Sequence, residues 1–287
     1  MTLILVGLVG AELLAARAAD RTQVVRPSGR VRLEEQDGVP IWYVDAPEGA
    51  RREDCAEPRV MIFGTSVLAG IAIPREAVFS ESLRDLGCIE NHAVPAYAGE
   101  TMLARARREL PGSRPDVVIW EVSGSAMESF TWVGRAAYNL KGAAAPAPWV
   151  GHLVSRSRLL ERLWLDSFEF PKDKAYDPVA RYQDTLTSLM ALATTEGAQV
   201  GVVFAPPLDR PFATIVDDRD RFSLDLQGWL TAHAVPWLDL ATALSGEDVV
   251  ALRLDTCCHF NAAGHARIGA IVKDWVRPWV AESNVEP

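Results

Sequence analysis

Val60-Met61-Ile62-Phe63-Gly64-Thr65-Ser66-Val67-Leu68-Ala69-Gly70 is an apolar run that stops at a glycine-bounded polar turn. Consecutive large apolar side chains suit a strand covered on both faces, as in a parallel sheet packed between helices. Such a strand needs partners, and the sequence downstream supplies them. Residues 89–94 and 116–120 predict the second and third strands, 200–204 the fourth and 236–238 the fifth. Helical stretches fall between and after them, over 77–86, 101–110, 176–195, 222–233 and 262–280. In the third of these, Leu186, Leu189, Met190 and Leu192 recur at helical spacing. Strands alternating with helices predict an α/β domain with a parallel sheet and helices on both faces.

The rest of the chain is read around that core. With 287 residues, 49% hydrophobic and 23% charged, it has globular composition and room for one or two domains. A net charge of −9 argues against a nucleic-acid partner. Residues 1–20 form an apolar segment in which only Glu12 interrupts the run from Thr2 to Ala16. That run is shorter than the roughly 20 apolar residues of a membrane span, and Ala16-Arg17-Ala18 has the small-x-small pattern of a cleavage site. The segment reads as an export signal or short membrane anchor, giving an exported, periplasmic or membrane-tethered protein. The other readings are a buried helix of a cytoplasmic protein and a start-site artefact. Residues 21–58 are a polar lead-in with a strand-like island at Ile41-Trp42-Tyr43-Val44, and 59–287 hold the α/β domain. Within it, about 127–174 is an irregular insertion containing Trp132, Trp149, Trp164, Phe168 and Phe170. Connections in such folds usually run about two to six residues, so this one reads as lid-like, its aromatics being local core or a substrate platform.

Ligands of open parallel sheets bind beyond the carboxyl ends of the strands, which directs attention to three turns. Gly64 to Gly70 follows the first core strand, Ala96-Tyr97-Ala98-Gly99-Glu100-Thr101 the second, and Asp255-Thr256-Cys257-Cys258-His259-Phe260-Asn261 precedes the last helix. Together they offer a serine, a glycine amide, an acid and a histidine. Serine becomes a nucleophile when a neighbouring base takes its proton, and an acid holds that base in one tautomer. Backbone N–H groups can then stabilise the oxyanion. The chain has no G-x-S-x-G elbow, no P-loop, no G-x-G-x-x-G after a strand and no H-E-x-x-H. Cys257, Cys258, His259 and His265 fit no common zinc spacing, so neither a metal nor a cofactor is expected.

These blocks resemble the SGNH (GDSL-type) hydrolase superfamily over roughly residues 59–280. Its opening pattern, strand-G-D-S-x-x-x-G, stands here as Phe63-Gly64-Thr65-Ser66 ending at Gly70, with Thr65 where the family has Asp. Val94 to Met102 is similar to the second block, and Asp255 to Gly264 to the last, D-x-x-H followed by a polar residue and a helix-opening glycine. The resemblance implies a three-layer α/β/α fold with a five-stranded parallel sheet in flavodoxin-like order. It also implies ester chemistry on Ser66, with His259 as base and Asp255 as its acid, and an oxyanion hole from the amides of Ser66 and Gly99. Asp255 and His259 are four apart rather than three, so either the loop bulges by one residue or another acid supports the histidine. The asparagine of the third block is missing from Val118-Ile119-Trp120-Glu121-Val122-Ser123-Gly124-Ser125, leaving Ser123 or Ser125 as substitutes. The Trp120-Glu121-Val122 strand end is also similar to the SGNH-like domains of polysaccharide O-acetyltransferases.

The implied function is a serine esterase acting on a small-molecule or glycan ester. Acyl transfer to, or deacetylation of, a cell-envelope polysaccharide is one alternative, and a non-catalytic SGNH-like binding module is another. Each residue also has a plain reading. Ser66 could cap a helix, His259 could be a satisfied loop histidine, and Gly99 could serve only its turn. His265 reads as a packing or surface residue. Cys257 and Cys258 read as packing or as one end of a disulfide to Cys55 or Cys88.

Overall fold

The computed structural model describes residues 58–95, 97, 99–123 and 178–283, together with the backbone of two strands at 31–36 and 39–44. The apolar start, most of the lead-in, Cys55, Ser125 and the insertion at about 127–174 lie outside the described residues. The chain divides into two compact units, one containing the two early strands and the other Ala46–Val133 with Asp177–Pro287. In the first unit, β1 (Val31–Gln36) pairs antiparallel with β2 (Val39–Val44), Val31 opposite Val44 and Gln36 opposite Val39. The predicted island is thus one arm of a hairpin.

The second unit is built on β3 (Arg59–Phe63), β4 (Cys88–Asn91), β5 (Val117–Ser123), β6 (Gln199–Ala205) and β7 (Trp237–Asp239). They form one sheet in the order β4-β3-β5-β6-β7, every neighbouring pair parallel. Numbered within the sheet this is 2-1-3-4-5, the flavodoxin-like order, whose reversal point lies between β3 and β5. Among the described residues the helices are α1 (Ser66–Ala69), α2 (Gly99–Glu109), α3 (Pro178–Thr195), α4 (Phe212–Asp217), α5 (Arg221–Ala232), α6 (Leu240–Ala243), α7 (Val249–Leu252) and α8 (Ala262–Ser283).

Alternation along each strand divides the core into two layers. Val60, Ile62, Val117, Ile119, Val203 and Ala205 join Ile268, Val272 and Val276 of α8 in one buried cluster. On the opposite parity, Trp120 is fully buried and its Nε1–H donates to Tyr182 Oη of α3 at 3.0 Å. Gly201 permits the close seating of α8 on β6, since a Cβ there would lie 2.6 Å from the Trp279 ring and 2.8 Å from the Trp275 ring.

The helix predicted over 77–86 is a correction. Residues Arg75–Ala77 and Phe79–Leu86 form 3-10 turns instead. Phe79 and Leu83 still bury their side chains, but α8 presses directly on this backbone at Gly269, whose added Cβ would sit 3.2 Å from Phe79 O. The strand predicted over 89–94 ends at Asn91. Beyond it the Asn91 carboxamide takes over, its Oδ1 accepting from Ala93 N–H at 3.0 Å and its Nδ2 donating to Leu68 O at 2.9 Å. Among the described residues no helix is long and apolar enough to cross a membrane.

Candidate active site

The turn after β3 is built around a carboxyl group. Glu121, on β5 beside it, has no solvent exposure. Its Oε2 accepts from Thr65 N–H at 2.7 Å and Leu68 N–H at 3.4 Å, and its Oε1 from Thr65 Oγ1 at 2.6 Å and Ser123 Oγ at 2.6 Å. Gly64 is required at this approach because a Cβ would fall 2.5 Å from Glu121 Oε2. Thr65 then caps α1, accepting from Val67 N–H at 3.3 Å, and Gly70 ends it in the left-handed conformation at φ 71°. The cap is therefore Thr65, not Ser66. Ser66 is the first helical residue, where the N–H has no intrahelical partner, and its Oγ lies 2.9 Å from His259 Nε2.

His259 sits in a loop closed on itself between α7 and α8. Arg253 and Phe260 form an antiparallel bridge, and Leu254 N–H donates to His259 O at 2.7 Å. Asp255 fills the loop from within. Its Oδ1 accepts from the N–H groups of Cys257, Cys258 and His259 at 3.0, 3.1 and 3.2 Å, while Oδ2 meets His259 Nδ1 at 2.5 Å. The four-residue spacing is thus accommodated by a turn wound around the Asp255 carboxylate, and no second acid is needed. Asn261 secures the exit, donating to the carbonyls of Ala251 and Arg253 and accepting from Gly264 N–H. Gly264 admits no side chain, since a Cβ would lie 2.3 Å from Leu252 O.

The electrostatics favour an ionised acid beside the His259 ring. Partial burial alone would raise the Asp255 pKa, but the His259 hydrogen bond and the Cys258 and His259 amides outweigh it and hold the group below its usual range. Nδ1–H donating to Asp255 leaves the Nε2 lone pair facing Ser66 Oγ–H, the arrangement in which a serine can lose its proton as it attacks. Burial pushes the Glu121 carboxyl up, with the Ser123 and Thr65 hydrogen bonds opposing it. Cys258 is buried, and burial followed by the neighbouring Cys257 drives its thiol well above the usual range, so it is held as a neutral thiol 3.9 Å from His259 Nε2.

The structure therefore brings Ser66, His259 and Asp255 together, and Gly99 opens α2. There the Tyr182 ring lies 2.8 Å from where a Cβ would project, which explains the glycine. Ser123 is placed differently from an oxyanion donor, because its hydroxyl is engaged by Glu121. His265 is buried in α8, its Nδ1 accepting from Phe79 N–H at 3.4 Å. Burial, then the charge of His259, lowers its pKa to about 4. Cys257 and Cys258 are free thiols, so neither forms the disulfide end considered for them, whereas Cys88 is disulfide-bonded. Among the described residues no group of histidines, cysteines and acids could hold a metal ion.

No family sequence model and no curated protein sequence matches the chain. Solved structures do. A Bacteroides fragilis protein assigned as an acylhydrolase superposes with a TM-score of 0.50 at 11% identity, covering 81% of this chain and 93% of that one. The psychrotrophic esterase EstA of a Pseudoalteromonas species, in a structure inhibited by monoethylphosphonate, gives 0.50 at 13% identity, covering 78% and 100%. The chain shares the α/β fold of these proteins, a five-stranded parallel sheet flanked by helices. The Ser66 turn follows the carboxyl end of β3, beside the reversal point between β3 and β5, and His259 reaches it there. The residue that sequence reading missed is Glu121. A glutamate inside Val117-Val118-Ile119-Trp120-Glu121-Val122, a run otherwise fit for burial on both faces, was the available signal.

Proposed function

We propose that the protein is a serine esterase or acyl hydrolase acting on small acyl esters. The observation that carries this is the continuous relay Ser66 Oγ–His259 Nε2–His259 Nδ1–Asp255 Oδ2, at 2.9 Å and 2.5 Å. Ser66 Oγ attacks the ester carbonyl carbon while its proton passes to His259 Nε2, and the carbonyl π electrons move onto oxygen. The amides of Ser66 and Gly99 hold that oxyanion. Its collapse breaks the bond to the alkoxy oxygen, which leaves with the proton from Nε2. Water, deprotonated by the same nitrogen, then attacks the acyl-serine, releasing the acid and restoring Ser66. Asp255 remains ionised throughout and keeps Nδ1 protonated.

The same 2.9 Å contact argues against a non-catalytic binding module, in which nothing would keep a base within reach of a serine. Export is proposed alongside this reading, supported by the disulfide at Cys88, since such bonds persist outside the reducing cytosol. A fluorophosphonate probe tests the nucleophile. Wild-type protein should be labelled on Ser66 and Ser66→Ala should not be, and equal labelling of both would refute the assignment. Product analysis with an acetyl ester should yield free acetate. Acylated glycan without acetate would instead indicate transfer.

A further inference from the structure

Nothing in the ester-cleavage chemistry requires a carboxyl group beneath the nucleophile turn, yet the fold holds one there with no solvent exposure. Burying such a group is unfavourable unless its lone pairs are filled. The two oxygens of a carboxyl group can accept several hydrogen bonds, and Glu121 meets four donors. Three belong to the residues bracketing Ser66: Thr65 N–H and Oγ1 on one side, Leu68 N–H on the other. The fourth, Ser123 Oγ, ties the same carboxyl to the end of its own strand. Gly64 is kept without a side chain by the same group. The whole turn is moulded on one side chain, and that side chain hydrogen-bonds to neither Ser66 Oγ nor His259.

We propose that Glu121 is a positioning residue. By clamping Thr65 and Leu68 it fixes the backbone of the turn so that Ser66 Oγ rests against His259 Nε2 in attack geometry. The neighbouring anchors act from other directions. Asn91 Nδ2 holds Leu68 O from β4, and Thr65 Oγ1, while donating to Glu121, accepts from Val67 N–H to start α1. Glu121 is the group that joins both ends of the bracket, and it reaches them from the strand across the sheet's reversal point. Its geometry also dictates what can replace it. A glutamine could keep its oxygen toward the two backbone N–H groups and turn its NH₂ toward Thr65 Oγ1 and Ser123 Oγ, which rotate to accept. An alanine leaves all four donors stranded.

This inference rests on the esterase reading, and the experiment separates the two. Purified wild-type, Glu121→Gln and Glu121→Ala proteins are titrated with a fluorophosphonate, recording both the fraction labelled and the rate constant. A merely structural role would shrink the labelled fraction while surviving molecules react at the wild-type rate. A positioning role leaves the fraction full and slows the reaction. For Glu121→Ala we expect roughly a 100-fold slower rate constant, the scale of a nucleophile displaced by about 1 Å, and for Glu121→Gln a rate within about threefold of wild type, its four contacts being retained. Glu121→Ala reacting at the wild-type rate constant, or Glu121→Gln as slow as Glu121→Ala, overturns the proposal. If Glu121→Ala does not fold, Thr65→Val decides: it removes one link of the bracket, and a full labelled fraction slowed about tenfold supports positioning, whereas a wild-type rate constant refutes it. Unlabelled wild-type protein would instead refute the esterase reading itself.

Discussion

Replacing Asp255 by asparagine tests the acid–base relay at its most constrained point. An asparagine can present either its oxygen or its NH₂ to His259 Nδ1, and in an open site it would choose the oxygen. Here the choice is removed. Three backbone N–H groups converge on Oδ1 within 3.0–3.2 Å, and an NH₂ group placed there would oppose all three donors. The amide oxygen must therefore occupy the Oδ1 site, leaving NH₂ to donate toward Nδ1. His259 then carries its proton on Nε2 and points a donor, not an acceptor, at Ser66 Oγ. An equivalent substitution in a serine-protease triad lowers kcat by about 10⁴ through the wrong tautomer, and a loss of that order is expected here with the loop intact. Hydrolysis of a p-nitrophenyl acyl ester at pH 7–8 gives kcat, and circular dichroism checks the fold. A folded Asp255→Asn protein retaining kcat within about tenfold of wild type would show that Asp255 does not set the tautomer, and the relay would have to be abandoned.

Three further outcomes follow from the geometry. Ser123→Ala should cost less than about tenfold in kcat, because the hydroxyl is committed to Glu121; a loss of about 10²–10³ would mark it as an oxyanion donor after all. His265, held at about 4 rather than near 6.5, stays neutral in the folded protein where the unfolded chain is protonated. The unfolded state thus binds more protons between these values, and stability present above pH 6.5 is lost as pH falls toward 4, by about 3 kcal/mol in all. Urea melts across that range should show the loss, and it should be absent in His265→Gln; the same slope in both proteins would contradict the assignment. Iodoacetamide at pH 8 should alkylate exposed Cys257 well before buried Cys258, whose thiol is kept neutral, and peptide mass spectrometry reverses the inference if Cys258 reacts first.

Much of this fold was readable because parallel strands buried on both faces leave uninterrupted apolar runs, as at Val60–Phe63 and Val117–Trp120. Periodicity served less well where backbone geometry departs from the α-helix. Phe79 and Leu83 carry a helix-like apolar pattern that the 3-10 turns satisfy equally, and only the close seating of Gly269 of α8 distinguishes them. The partner of the Ile41–Val44 island was overlooked although Val31-Arg32-Leu33 alternates and Asp37-Gly38, a favoured two-residue hairpin connection, separates the two strands. At the site, Ser66, His259 and Asp255 were legible as residue types in order along the chain. The way Asp255 serves a histidine four residues on was not, because it depends on three amides of the intervening loop. Glu121 escaped for a different reason. Its role is visible only from the adjacent strand β5, 56 residues along the chain from the turn it holds.

The closed loop around Asp255 has a consequence for how the site assembles. His259 and Asp255 meet across four residues, within a segment cinched by its own bridge, so their encounter demands little ordering of the chain. Ser66 and His259 are separated by 193 positions, and the entropy of ring closure grows with the logarithm of such a separation. In kinetic terms the acid and base form a local unit, and the long-range step is the delivery of that unit to the serine by the docking of α8. Substitutions that loosen α8 should therefore uncouple nucleophile from base while leaving the Asp255–His259 pair intact.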